Sequence, residues 1–200
     1  SGNIAIAKRR ILKATGVIYL TFDDGPSPVT SKILDILKQE NVKATFFILG
    51  SNVDSRKDVV KRMYEEGHYL ANHGYSHTYS KIYSSPQSVL DEYNECNDKV
   101  KNAIEVPDYN SHLFRFPGGL AGGKYAEIKK EAKELLLQNN IVNVDWNALT
   151  GDAETNNLSV EFEMTRLTET MESKNSLVIL MHDAAAKSVT ADALPQIIAK

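Results

Sequence analysis

The chain has 200 residues, of which 42% are hydrophobic and 24% are charged, so its composition excludes collagen, low-complexity disorder and a disulfide scaffold. Lys and Arg number 23 against 26 Asp and Glu, and the net charge of -3 leaves no basic field to bind nucleic acid or anionic lipid. The single cysteine, Cys96, cannot form an internal disulfide, and no apolar run approaches the roughly 20 residues of a membrane span. We therefore expect one mildly acidic domain that contacts neither nucleic acid nor a membrane.

The residues at both ends of the sequence are those expected of a truncated chain. Ser1-Gly2 is the kind of dipeptide that tag removal leaves, and residues 3–14 are basic and weakly apolar, as in a lead-in strand or arm. Residues 194–200 stop within a helical pattern. We therefore expect a lead-in over residues 1–14 and one domain over residues 15–200, with a truncated C-terminus and any secretion signal or anchor outside this sequence.

Short apolar strands alternate with helices along the chain. Residues 16–22 are apolar and β-branched and stop at the turn formed by residues 23–26, after which residues 30–40 place apolar side chains on one helical face. The alternation continues with predicted strands at 44–49, 68–71, 113–116, 141–146 and 177–181, and predicted helices at 55–66, 86–104, 124–139, 158–173 and 190–199. Such alternation predicts parallel βαβ units, in an open doubly wound sheet or a (β/α) barrel.

Candidate chemical residues follow the predicted strands at the point where each strand ends. They are Asp23 and Asp24 after the first strand, His73 and His77 after the third, Arg115 at the end of the fourth, Asp152 after the fifth and His182 at the end of the last. Because active sites of parallel barrels lie at the carboxyl ends of the strands, we expect these side chains to meet at one face.

Some of these candidate residues predict a metal-binding site. His73 and His77 lie four residues apart, and on a helical turn that spacing brings both rings to one side. The histidine pair alone is a weak signal, and Asp23-Asp24 alone is ordinary turn chemistry. Two imidazoles and one carboxylate together, however, make a three-ligand site with an open position, which is typical of catalytic zinc.

A hydrolytic metal site also needs a base and an acid. The ion acidifies a water and polarises a carbonyl, but one group must take the proton of the water and another must protonate the leaving nitrogen. Two adjacent carboxylates raise each other's pKa, so the carboxylate that does not bind metal needs a cation beside it. Arg115 is the candidate cation and His182 the candidate acid.

The sequence resembles the polysaccharide deacetylases of carbohydrate esterase family four, also called the NodB-homology domain. The resemblance rests on motifs in the family's order, TFDDGPS at 21–27, NHGYSH at 72–77, RFPGG at 115–119 and LMH at 180–182. It implies an α/β fold, an irregular (β/α)7-type barrel with parallel strands and outer helices. It also implies metal-dependent hydrolysis of N-acetyl groups on a carbohydrate polymer, such as peptidoglycan or a chitin-like N-acetylglucosamine chain, with release of acetate.

The resemblance further implies the roles of the first two motifs. Asp23 would be the general base, and Asp24, His73 and His77 would bind one divalent metal. Zn²⁺ is the expected ion, with Co²⁺ or another divalent ion as alternatives.

The later motifs would complete the site. Arg115 would tether the base, and the backbone N–H of Gly118, just after Pro117, would bind the oxyanion. His182 would be the general acid, and Leu180 would line the acetyl pocket.

Two departures from the family pattern stand out. Gly74 replaces the usual Ser or Thr after the first histidine, from which we expect looser support of the ligands rather than lost activity. The fourth motif, Asp-x-x-Asp-Trp in the family, is best placed at residues 149–153 and keeps only Asp152, which would orient Arg115 or tune His182. Trp146 lies on the preceding strand and either packs in the core or walls the substrate groove.

Other residues have simpler interpretations. We expect His68 and His112 to be ordinary strand-edge residues, and Cys96 to be inert among the polar residues of its helix. The series Tyr75, Tyr79 and Tyr83 is expected to pack against the barrel.

Alternative functions remain for the same sequence. As a second hypothesis, the same site would serve an O-acetyl xylan esterase or a small-amide hydrolase, and the degraded fourth motif also allows a cell-wall-binding module with weakened catalysis. A glycosidase is disfavoured because adjacent carboxylates do not flank a bond at the roughly 5–9 Å that the reaction needs. We expect a monomer, extracellular or associated with the cell wall, that binds a neutral glycan by shape and hydrogen bonds.

Overall fold

Seven parallel strands form one sheet in the computed structural model, which describes residues 16–200; the lead-in predicted over 1–14 lies outside the described residues. The strands are β1 (Ile18–Asp23), β2 (Thr45–Ile48), β3 (Tyr69–Asn72), β4 (Leu113–Phe114), β5 (Val142–Asn143), β6 (Ala148–Leu149) and β7 (Leu177–His182). Their order is β5-β4-β3-β2-β1-β7-β6. The sheet curls into a half-barrel, and the prediction of an irregular (β/α)7-type barrel is confirmed.

Helices surround the sheet and connect its strands. They are α1 (Pro28–Gln39), α2 (Gly50–Val53), α3 (Lys57–Glu65), α4 (Tyr79–Ile82), α5 (Pro86–Ile104), α6 (Ala126–Gln138), α7 (Val160–Met171) and α8 (Ser188–Ala199), with a 3₁₀ turn at Asp54–Arg56. Across residues 16–200, none of these helices combines the length and apolar character that crossing a membrane requires.

Local chemistry explains where the helices begin. The Ser27 hydroxyl accepts the N–H of Val29, and the Thr30 hydroxyl accepts the N–H of Ser27, so a capping box starts α1. Ser85 caps α5, and Pro86 occupies its first turn, where the missing N–H of proline costs nothing. The apolar faces of these helices then pack on the strands in the core, as Ile33 and Leu34 of α1 do.

The structure shortens two of the later predicted strands and adds another. The strand expected over 113–116 is only Leu113–Phe114, so Arg115 lies just after it and not at its end. The strand expected over 141–146 is only Val142–Asn143, because the carbonyls of Val144 and Asp145 accept hydrogen bonds from the Arg115 guanidinium. Beyond this loop the two-residue strand Ala148–Leu149 pairs with β7. A strand of this length carries no periodic pattern for a sequence to display.

Candidate active site

β1 lies between β2 and β7 in the sheet and presents two neighbouring carboxylates at its end. Asp23 is the last residue of β1 and is buried, and it pairs in register with His182 of β7. Asp24 follows with φ 77°, a left-handed conformation that turns the chain sharply away from the strand. The two carboxylates therefore lie in different surroundings although they are adjacent in sequence.

A fully buried arginine contacts the first carboxylate. Arg115 Nη1 donates to Asp23 Oδ1 at 2.7 Å and to Thr21 Oγ1 at 2.8 Å. Its Nε and Nη2 donate to the carbonyls of Val144 and Asp145 at 3.0 and 3.1 Å. Burial raises the pKa of Asp23, and Arg115 opposes that rise by attracting the carboxylate.

The second carboxylate joins two histidines. Asp24 Oδ1 lies 3.5 Å from His73 Nε2 and 3.4 Å from His77 Nε2, and one candidate ligand atom from each of the three residues lies within 4.8 Å of the others. Asp24 Oδ1 is buried without a hydrogen-bond partner, which is costly unless a cation binds it.

The tautomer of His73 completes this fit to a metal ion. His73 Nδ1 lies 2.7 Å from the backbone carbonyl of Arg115, and only an N–H can make that contact. Burial lowers the pKa of His73 to about 3, so the ring is neutral and its Nε2 lone pair faces Asp24. A neutral imidazole fixed through its other nitrogen is the usual form of a metal-bound histidine. The three residues therefore fit a divalent ion, whose identity this donor set leaves open.

The two histidines lie on a loop and not on the helical turn that their spacing predicted, so that prediction is wrong. The loop follows β3, with φ +85° at Gly74 and φ 53° at His77. Glu92 of α5 accepts the backbone N–H groups of Tyr75 and Ser76, both at 2.8 Å. A carboxylate on the neighbouring helix, rather than helical periodicity, therefore shapes the loop.

His182 lies on the other side of β1 from His73, in different surroundings. His182 Nδ1 lies 2.7 Å from Asp152 Oδ1, and the backbone N–H of His182 donates to Asp152 Oδ2 at 2.7 Å. Burial alone would lower the pKa of His182, but the bond to Asp152 and the negative charge of that carboxylate raise it to about 9. Of the two partners predicted for Asp152, the structure selects His182; Arg115 is held by other groups.

The remaining predicted residues lie around Arg115 and the loop that follows β4. Gly118 adopts φ +76° and is exposed, and a Cβ built there would lie 2.5 Å from the Tyr79 hydroxyl. The Pro117 carbonyl accepts the Tyr83 hydroxyl at 2.7 Å. Trp146 is half-buried, and its ring centroid lies 5.6 Å from the Arg115 guanidinium. Leu180 is buried within β7.

Sequence reasoning misplaced several side chains. Tyr83 is buried as expected, but Tyr79 is 40% exposed and its ring centroid lies 5.7 Å from that of His77. Cys96 is buried, because its face of α5 packs on the sheet, and its thiol contacts the Ile48 carbonyl at 3.3 Å. His68 is also buried, and its Nδ1 accepts the N–H of Ala44 at 3.1 Å.

Three supporting residues were missed altogether. Glu92 shapes the histidine loop, Asp145 accepts the N–H of Leu120 at 3.0 Å, and Lys129 donates to the Gly119 carbonyl at 2.7 Å. Their charged side chains give no hydrophobic period and belong to no motif of the sequence. Only the packing of distant segments could have pointed to them.

A curled parallel sheet that gathers a carboxylate and two histidines at its carboxyl edge defines a (β/α) barrel protein with a candidate metal centre. The family model for polysaccharide deacetylase matches residues 12–138, more than half of the chain. The chain belongs to the polysaccharide deacetylase family.

Individual relatives agree with this assignment. The chain is 36% identical to the Bacillus subtilis protein YheN over 190 residues, 92% of this chain and 62% of that relative. It is 34% identical over 182 residues to a peptidoglycan-N-acetylglucosamine deacetylase of Bacillus cereus, 90% of this chain and 64% of the relative. This chain thus spans less than two thirds of the length of either protein.

Solved structures show the same architecture. The catalytic domain of a peptidoglycan N-acetylglucosamine deacetylase from Eubacterium rectale superposes with a TM-score of 0.83 and 33% identity, covering 91% of this chain and 82% of that one. A CE4 esterase from Streptococcus mutans gives a TM-score of 0.84 and 33% identity, covering 98% and 85% of the two chains.

Proposed function

We propose that this chain hydrolyses N-acetyl groups on an acetylated glycan, with N-acetylglucosamine of peptidoglycan as the substrate. One observation carries the proposal: a carboxylate and two histidines that could hold a metal ion, a buried carboxylate paired with arginine, and a histidine paired with a second carboxylate lie together at one edge of the sheet. The names of the relatives support the glycan. We further propose that the protein acts as a monomer at the cell wall, outside the cell.

Asp24, His73 and His77 are the residues that would hold the ion, which we propose to be Zn²⁺. When bound, a divalent ion of this kind lowers the pKa of a water molecule and polarises the acetyl carbonyl. The unpartnered Asp24 oxygen and the fixed His73 ring support this assignment.

Asp23 is the proposed general base. It takes a proton from the attacking water as the oxygen adds to the acetyl carbon, and its Oδ1 stays paired with Arg115, which acts as a positioning residue. Burial raises the pKa of Asp23, which brings the carboxylate closer to the proton affinity that a base needs.

The developing negative charge and the leaving nitrogen need separate partners. The N–H of Gly118, a residue exposed at the surface, is the proposed donor to the carbonyl oxygen as that oxygen becomes negative. His182 then gives its proton to the amine nitrogen as the C–N bond breaks, and acetate and the free amine leave. Asp152 keeps His182 protonated and oriented, and therefore acts through it.

The substitution Asp23→Asn tests the proposal. The amide keeps the shape of the side chain but cannot take a proton, so we expect turnover to fall at least about 100-fold. Zinc content, measured by elemental analysis after dialysis, should remain that of the wild type. Asp58→Asn changes an exposed aspartate on α3 and serves as the matched control. Near-wild-type turnover by Asp23→Asn would contradict the role of Asp23.

A substrate panel tests the glycan separately. Acetate release should be fastest on peptidoglycan or N-acetylglucosamine oligomers with added zinc, should continue with cobalt, and should stop with a chelator. Faster release from acetylated xylan would instead identify an O-acetyl esterase. Silence on every acetylated glycan would indicate a binding module.

A further inference from the structure

A third acidic side chain lies behind Asp152, away from the residues proposed for catalysis. Glu163 of α7 is completely buried, and its Oε1 lies 3.2 Å from the Thr190 hydroxyl of α8. The same hydroxyl lies 3.0 Å from Asp152 Oδ2. A continuous chain of polar contacts therefore runs from Glu163 through Thr190 and Asp152 to His182.

The number of protons in this chain limits its charge state. A threonine hydroxyl has one proton to donate, although its oxygen can also accept. Thr190 lies between two buried carboxyl groups, so it can donate to only one of them. If both were ionised, the second would face the hydroxyl oxygen with no proton between them, which is costly in a buried site. The state with both carboxyl groups ionised is therefore disfavoured, and one of the two binds a proton more tightly than it would in water.

The contacts identify Glu163 as the protonated group. Asp152 accepts the ring N–H and the backbone N–H of His182 as well as the Thr190 hydroxyl, and such donors stabilise a negative charge. Glu163 Oε2, by contrast, is buried without a hydrogen-bond partner. A protonated Glu163 donates to Thr190, which in turn donates to Asp152.

The charged groups around Glu163 favour the same assignment, with the proton on Glu163 and the negative charge on Asp152. Burial and the negative charge of Asp152 raise the pKa of Glu163, while the Thr190 hydroxyl and the positive charge of Lys187 oppose the rise, leaving it at about 7. Lys187 donates to the Asp152 backbone carbonyl at 2.6 Å and so lies on the Asp152 side of the chain.

We propose that Glu163 is a positioning residue whose protonated form, through the Thr190 hydroxyl, orients the Asp152 carboxylate toward His182. This rests on the proposed function, in which His182 is the acid. If Glu163 ionised, the Thr190 hydroxyl would donate to Glu163 instead of Asp152. Asp152 would then orient His182 less firmly, at a pH below that at which His182 loses its own proton.

Two spectroscopic measurements test the proton chain without any substrate. The infrared difference spectrum between wild type and Glu163→Gln should show the carbonyl band of a protonated carboxyl group below the pKa of Glu163, and the band should vanish as the pH rises past about 7. The downfield proton resonance of His182 Nδ1 should shift in Thr190→Val and return in Thr190→Ser, which restores the hydroxyl. Absence of the infrared band, or an unshifted resonance in Thr190→Val, would overturn the proposal.

The pH profile of kcat tests the consequence for the reaction. Between the pKa values of Glu163 and His182, about 7 and about 9, wild-type kcat should fall about fivefold, the effect of one weakened hydrogen bond. Glu163→Gln keeps a donor that cannot ionise, so its kcat should hold over that interval with KM unchanged. Glu161→Gln, an exposed neighbour on α7, should follow the wild type.

The two proposals fail in different ways. Superimposable profiles of Glu163→Gln and wild type would overturn the positioning role while acetate release continued. A wild-type protein that releases no acetate from any glycan would overturn the proposed function, and the infrared and proton resonance measurements would still decide the state of Glu163.

Discussion

Two histidines on opposite sides of β1 differ in charge at neutral pH, because His73 is neutral and His182 is protonated. His73 has a pKa lowered to about 3, mainly by burial, and His182 has a pKa raised to about 9. Each uses Nδ1 for one short contact, at 2.7 Å in both cases. The difference lies in the partner, which is the backbone carbonyl of Arg115 for His73 and the Asp152 carboxylate for His182.

The partner therefore decides what each ring can do. A carbonyl fixes the tautomer but adds little to the stability of a cation, so burial keeps His73 neutral and available to a metal. A carboxylate outweighs burial and keeps His182 protonated, as an acid must be. The metal side of the site, which contains His73, thus depends on backbone geometry, and the acid side, which contains His182, depends on charge. Substitutions that affect only one of these sides can therefore test each side separately.

Asp152→Asn should have the largest effect, because it removes the charge that supports His182. Burial would then be opposed only by the more distant charges of Asp23 and Asp24, so the pKa of His182 should fall from about 9 toward its ordinary value of 6.5. At a pH between that value and the wild-type pKa of about 9, we expect kcat to fall about 100-fold, with recovery at lower pH. The pH profile of kcat and the ring ¹⁵N shifts of His182 measure this, and zinc affinity should stay unchanged.

The pair of His182 and Asp152 also makes the free energy of unfolding depend on pH. Because the folded pKa of His182 exceeds its ordinary value, its contribution is fully present below pH 6.5 and is lost as the pH rises through about 9, with a slope of about 1.4 kcal/mol per pH unit. Asp192→Asn, an exposed change on α8, should retain the wild-type dependence. An unchanged His182 titration in Asp152→Asn would contradict the assignment of charge as the cause.

Glu92→Gln should have the next largest effect, and on the metal side only. The amide keeps a single acceptor oxygen in place of the two that bind the backbone N–H groups and the hydroxyl of the histidine loop. We expect zinc affinity to fall about tenfold, measured by calorimetric titration of metal-free protein. At saturating zinc, kcat should be close to that of the wild type.

Glu95→Gln is the control for this loop. Glu95 is exposed on the same helix, three residues further along, so its substitution changes the charge without touching the loop. Equal losses of zinc affinity in the two variants would show that the charge of α5, and not the loop contact, supports the ligands.

The sequence predicted the parts of this molecule that short-range patterns encode. The helix over 86–104 has its predicted bounds, because Ser85 and Pro86 mark its start and its apolar face is periodic. The order of strands and motifs also placed Asp23 and His182 at strand ends, where the structure pairs them. Apolar runs and turn residues are sufficient for such predictions.

Contacts between residues far apart in the sequence could not be predicted from such patterns. Asp152 had two plausible partners, and only the pairing of β6 with β7 brings it to His182 rather than Arg115. Glu163 and Thr190 lie 27 residues apart in the chain, and neither belongs to a motif. The histidine spacing suggested a helical turn, whereas a glycine with positive φ and a carboxylate from α5 built a loop.

Gly74 gives the smallest and most specific test of the metal side. The family usually has Ser or Thr here, yet a Cβ at Gly74 would lie 2.9 Å from Ile82 Cδ1 and 3.2 Å from Glu92 Oε2, at φ +85°. Gly74→Ser should therefore cost about 1 to 3 kcal/mol in the free energy of unfolding and weaken zinc binding slightly. Gly122→Ser meets nothing within 4 Å at a similar φ of +72°, so it isolates backbone strain from crowding. If urea denaturation gave equal losses for both variants, crowding against Glu92 would contribute nothing, and the backbone conformation alone would explain why glycine occupies this loop.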